Sequence, residues 1–240
     1  MSTLLLRLAA PLQAWGSESK FERRATGREP TKSGVIGLLA AALGRRRDQP
    51  IDDLSRLKFG VRVDKPGQMM MDYHTALSTK QTYVTRRYYL EDAVFIVGLE
   101  GDAAFLHTLE AAVNAPFFPL FLGRRSCPPT GQVCIGVRDA SLKDALLAEP
   151  LSISMTGAGQ GKAHTSLTLI LDTDKVGAYR QRDLPLSFNQ QHRKFAYRYV
   201  EAHAETHAET HAETHAVTYT QTPTQTYTQT SHDAFEGVTE

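Results

Sequence analysis

The sequence predicts an α+β fold of the ferredoxin-like kind, in which a four-stranded antiparallel sheet carries two helices on one face. Three features predict it. Segments with strand and helix periodicity succeed one another as strand, helix, strand, strand, helix, strand; the helical segments begin at capping residues; and one strand is apolar throughout, as a central strand is. A chain of 240 residues has ample material for a buried core.

Residues 3–9, TLLLRLA, form the first strand. Arg7 interrupts its apolar run and Pro11 ends it, so this segment reads as neither a signal peptide nor a membrane span. A long loop rich in glycine and charge follows, PLQAWGSESKFERRATGREP, in which Trp15 is either a core anchor or an aromatic platform. In TKSGVIGLLAAALG, Thr31 or Ser33 caps a helix whose Val35, Ile36, Leu38, Leu39, Ala42 and Leu43 recur at helical spacing until Gly44. KFGVRVD (58–64) alternates like a half-buried strand, and AVFIVGL (93–99) is the apolar central one. DAAFLHTLEAAVNAP starts at the cap Asp102, buries Phe105, Leu106, Leu109 and Val113, and stops before Pro116; QVCIGVR (132–138) supplies the fourth strand.

Two additions depart from the plain motif. An insertion at roughly 65–92 is far too long for a hairpin loop and is studded with Lys, Arg and Tyr. Beyond the core, Ser141 caps LKDALLAEP, and SLTLILD and FAYRYV read as strands. The expected organisation is a core at 1–140 with its insertion, a small C-terminal subdomain at 141–200, and a low-complexity tail at 201–240. The tail, HAETHAETHAETHA and then VTYTQTPTQTYTQT, is expected to be disordered or loosely helical. In the helical case His203, His207, His211 and His215 share one stripe that could hold a divalent metal; an expanded repeat with incidental metal affinity is the plainer reading, and no metal or cofactor is assigned.

Charge is unevenly placed. The formal net charge is +1, but residues 201–240 hold seven acids and no Lys or Arg. Residues 1–200 therefore set 27 bases against 19 acids, a surplus of eight that suits a polyanion partner. Cys127 and Cys134, spaced C-x6-C, match no common zinc pattern and read as reduced thiols of a cytosolic protein.

Three stretches could meet an anion. In FLGRRSCPPTG (121–131), Gly123, Arg124, Arg125 and Ser126 lie on a shaped loop where amides and guanidiniums face a phosphate, or else the arginines bond carboxylates elsewhere in the fold. In GREPTKSG (27–34), Arg28, Lys32 and Ser33 surround a helix N-terminus, although no P-loop pattern is present. In the insertion, Tyr73, His74, Lys80, Arg86 and Arg87 interleave rings and cations as single-stranded nucleic-acid binders do, while tyrosines in a half-buried hairpin are also ordinary packing. Tyr73, His74 and Lys80 are also types that move protons in metal-independent RNA cleavage.

LRLAAPLQAWG, PTKSGVIGLLAAALG, MDYHTAL, YYLEDAVFIVGL, PLFLGRRSCPP and RDLPLSFNQQHRKFAYRYV occur in that order. With them, residues 3 to 200 or so resemble the CasD-type subunit of the type I-E CRISPR surveillance complex, Cascade. The resemblance implies a RAMP-superfamily protein with a ferredoxin-like (RRM-related) core and a thumb at 65–92, somewhat short between Lys80 and Arg86. It implies a cytoplasmic subunit, with no membrane contact, that holds the 5′ handle of the CRISPR RNA. Its partners would be the CasC-type backbone subunit, the CasA-type large subunit that reads the PAM and, through the assembled complex, target DNA in antiviral defence. A separate subunit cuts the precursor RNA in type I-E systems, so this one is expected to be a non-catalytic binder. A related type I-C lineage cleaves with Tyr, Lys and His, which makes a metal-independent endoribonuclease the alternative.

Overall fold

The computed structural model describes residues 1–16, 23–77, 82–152, 165–175 and 177–207. In chain order its elements are β1 (Ser2–Ala9), β2 (Leu12–Gln13), β3 (Arg23–Arg24), α1 (Lys32–Ala42), α2 (Asp52–Ser55), β4 (Lys58–Lys65), β5 (Gln68–Leu77), β6 (Thr82–Glu91), β7 (Val94–Gly101), α3 (Ala103–Asn114), β8 (Cys134–Arg138), α4 (Leu142–Ala148), β9 (Thr165–Asp172), β10 (Tyr179–Ser187) and β11 (Lys194–His207).

The four predicted core strands stand side by side in the order β4-β7-β1-β8, every neighbouring pair antiparallel. That is the ferredoxin-like arrangement. Alternation along β1 divides the core: Leu4, Leu6 and Leu8 join Val35, Ile36 and Leu39 of α1 and Leu106 and Leu109 of α3 on one face. Leu5 on the other face packs with Ile96 and with Leu142, Ala145 and Leu146 of α4. The predicted caps hold these helices: Thr31 accepts from the Gly34 amide at 3.2 Å, Asp102 from Phe105 at 3.0 Å and Ser141 from Asp144 at 3.3 Å.

The C-terminal segment continues this sheet. β9 pairs with the free edge of β4, β11 with β9, and β10 with β11, giving seven strands in the order β10-β11-β9-β4-β7-β1-β8. β10 was not expected, because YRQRDLPLS is polar and contains a proline; it is an edge strand, where bulges beside Asp183 and after Pro185 relax the pairing. The boundary at 200 is also corrected. β11 runs on through the first repeat units to His207, with Glu201 to His207 in register against Leu171 to Thr165. In this strand His203 alternates with Ala202 and Ala204, not along a helical stripe, and Glu205 pairs with Lys143 of α4 at 2.6 Å. Residues 208–240, with His211 and His215, lie outside the described residues.

The insertion is a long antiparallel hairpin, β5–β6, which forms a second sheet with β2 and β3. β2 pairs with the base of β6 at Leu12↔Glu91 and Gln13↔Leu90, which joins the hairpin to the end of β1.

Candidate nucleic-acid interface

The arginine loop is a closed turn. The Leu122 amide donates to Cys127 O at 2.7 Å and the Cys127 amide to Arg124 O at 2.9 Å, while Ala14 N–H donates to Leu122 O at 3.1 Å. Gly123 has φ +86°, and a Cβ there would fall 1.7 Å from the Ala14 carbonyl oxygen, so only glycine lets the loop lie against this backbone. Behind it sits Trp15, 1% exposed, its indole N–H donating to Gln13 Oε1 at 3.0 Å. Trp15 is therefore a core anchor, and Gly34 faces its ring.

Arg124 points back into the protein. Its guanidinium donates to Tyr88 O at 3.1 Å and to Arg24 O at 2.9 Å, and lies 4.6 Å from the centroid of the buried Tyr89 ring. One side chain thus ties the loop to both β6 and β3. Arg125 and Ser126 are exposed.

The two-residue strand β3 runs parallel to β6, with Arg23 beside Arg86 and Arg24 beside Arg87. Strand alternation sorts the hairpin into two faces. One carries Arg23, Tyr73, Arg86 and Tyr88, with the Arg23 guanidinium 4.9 Å from the Tyr88 centroid. The other carries Arg24, Asp72, His74, Arg87 and Tyr89, and there His74 Nε2 contacts the Asp72 carboxylate. The Arg87 Nε is buried with no hydrogen-bond partner among the described residues. Among the described residues no carboxylate pairs with Arg23, Arg24, Arg86, Arg87 or Arg125. The result is a cluster of cations that no described carboxylate pairs.

Arg23 and Arg24, which the structure brings into this cluster, were not among the expected residues. Their signal was the doublet itself, repeated at Arg86–Arg87 and Arg124–Arg125 in segments far apart along the chain.

The helix N-terminus is a correction. Lys32 is 5% exposed, its Nζ lies 3.0 Å from Asp172, and its amide donates to Asp183 Oδ2 at 2.8 Å. The anion at the start of α1 is thus the protein's own, and Arg198 closes the network by pairing with both aspartates. Ser33 is half-buried, its hydroxyl 3.5 Å from Thr31 Oγ1. Arg28 remains exposed, and burial pushes the neighbouring Glu29 carboxyl up while Arg28 pulls it down.

Tyr73 and His74, adjacent on β5, project to opposite faces of the hairpin, so they do not converge on one reacting bond. Lys80 lies outside the described residues. Among the described residues no three His, Cys, Asp or Glu side chains gather as a metal site requires, and no helix is long and apolar enough to cross a membrane.

The family model described as CRISPR-associated protein (Cas_Cas5) matches residues 3–201. The chain belongs to this family. It is 39% identical over 163 residues to the CRISPR system Cascade subunit CasD of Escherichia coli (strain K12), a match covering 58% of this chain and 73% of that one. Among solved structures it resembles one described as a CRISPR RNA-guided surveillance complex (TM-score 0.75, 34% identity, 86% of this chain and 91% of that one). It also resembles one described as a Cas protein (TM-score 0.69, 39% identity, 85% and 95%). The Cas_Cas5 match ends within β11, at the start of the repeat.

Proposed function

We propose that this chain is a non-catalytic subunit of a Cascade-type CRISPR surveillance complex, where it holds the 5′ handle of the guide RNA and caps the filament of backbone subunits. The observation that carries this reading is the convergence of the three arginine doublets, with Arg124 as the internal tie and Arg23, Arg24, Arg86, Arg87 and Arg125 left to meet phosphates. Arg23 and Tyr88 on one face of the hairpin supply the stacked cation and ring that single-stranded RNA uses. Family membership and the Cascade relative support the same assignment. The complex would bring in the CasC-type and CasA-type partners and, through the guide, target DNA.

The opposed directions of Tyr73 and His74 favour a binder over a nuclease. The test is guide-RNA retention by the assembled complex carrying Arg86→Ala with Arg125→Ala. Each phosphate contact on a single strand adds about 0.7 to the slope of log affinity against log salt, so the slope should fall by about 1.4. An unchanged slope overturns the assignment, as does a discrete, metal-independent RNA product that His74→Ala abolishes.

A further inference from the structure

The outer strands of the large sheet carry a second cationic and aromatic face. α4 packs at the centre of that side, on Leu5, Ile96 and Leu169, and leaves Tyr197 of β11 53% exposed. By alternation Phe195, Tyr197 and Tyr199 share this side, whereas Arg198 on the other is buried against Asp183 and Asp172. Arg180, opposite Tyr199 on β10, lies 4.5 Å from the Tyr197 centroid, and Arg193 lies 5.5 Å from that of Phe195. The bulge between Gln181 and Leu184 turns Asp183 inward, 1% exposed, and leaves Arg182 in solvent. Asp183 is the sole carboxylate in residues 179–200, and Arg198 occupies it. Arg180, Arg182 and Arg193 are exposed, and none pairs with a carboxylate among the described residues.

A flat strand surface with half-exposed rings and uncompensated cations suits bases that stack and a backbone that is charged, hence an unpaired nucleic-acid strand and not a closed duplex. We propose that this face binds single-stranded DNA, namely the strand left without a partner when a guide RNA pairs with one strand of a target duplex. The proposal rests on the guide-RNA reading above, because the guide is there assigned to the arginine doublets of the other sheet. The Arg23–Arg24 and Arg86–Arg87 doublets belong to the sheet of β2, β3, β5 and β6 and this face to β10 and β11 of the seven-stranded sheet, so the two surfaces are built on different strands.

The test uses the assembled, guide-loaded complex with the full chain, probed with a labelled oligo-dT, an oligo-rU of equal length and poly-glutamate as competitor. Arg180→Gln with Arg182→Gln should weaken oligo-dT binding several-fold and lower its salt slope by about 1.4, and separately Arg193→Gln should weaken it and lower the slope by about 0.7, while guide content stays constant. Unchanged oligo-dT affinity in both variants overturns the proposal. Loss of guide RNA instead would assign the face to the guide, and displacement of oligo-dT by poly-glutamate at equal charge would assign it to an acidic protein; either result also overturns it. The doublet variants are read through guide retention and these through oligo-dT, so failure of one reading is distinct from failure of the other.

Discussion

Replacing Gly123 by alanine tests how the arginine loop is seated. A Cβ at this position meets the Ala14 carbonyl oxygen at 1.7 Å, where real contacts essentially never fall below 3.0 Å, so the two backbones must part by about 1.3 Å. That movement stretches the 3.1 Å bond from Ala14 N–H to Leu122 O beyond bonding range and draws Arg124 from the Tyr88 and Arg24 carbonyls. Three hydrogen bonds at about 1 kcal/mol each add to about 1–3 kcal/mol for a side chain held at positive φ. Gly177 is the control. It has φ +101° but nothing within 4 Å of its Cβ position, so alanine there meets the conformational term alone. Gly123→Ala should therefore melt lower than Gly177→Ala by the equivalent of about 3 kcal/mol, roughly 6–12 °C in a chain of this size. Thermal unfolding of the two full-length variants, followed by circular dichroism, makes the comparison. Equal melting temperatures would refute the argument from close approach.

Four further outcomes are expected. Lys32→Met should lower stability, by less than the about 3–5 kcal/mol of a fully stranded buried ion because Asp172 keeps Arg198, while guide affinity per folded molecule is unchanged in a binding titration. Ending the chain after Ala208 should leave the urea midpoint where it is, whereas ending it after Val200 strips seven paired residues from β9 and should lower it. Cys127 and Cys134 are buried, and burial pushes both thiols above their ordinary range, so a thiol reagent at neutral pH should label them only after denaturant is added. The hydrogen bond from Arg45 holds the Asp53 carboxyl below its usual range, so its stabilisation is present above the unfolded value and lost as pH falls through the lowered folded one. Asp53→Asn should flatten that acid limb in a urea midpoint against pH series.

The parts of the fold that local patterning dictates were open to inspection in the sequence. Leu4, Leu6 and Leu8 alternate with Leu5, and Thr31, Asp102 and Ser141 each stand where a first helical turn needs an acceptor. What escaped depends on distant partners. Lys32 looked like a free cation at a helix start because its two aspartates lie 140 and 151 residues further along the chain. Arg23 and Arg24 make a strand too short to show any period; it exists through pairing with β6. Arg124 was expected to face a phosphate, yet two of its donors serve main-chain carbonyls, a use that depends on where β3 and β6 arrive. β10 concealed its inward positions behind bulges, which break the even alternation a reader looks for.

The four-residue unit of the tail acquires a meaning from the strand it enters. Four is a multiple of the two-residue strand period, so the copy that enters β11 sets His203 and Glu205 on one side and Ala204 on the other. Slippage during replication that adds or removes a whole copy leaves the stretch from Glu201 to His207 spelled as before, with Glu205 still opposite Lys143. The stretch of β11 that pairs with β9 is in this way insulated from changes in copy number, because its own sequence and its ion pair to α4 stay as they are.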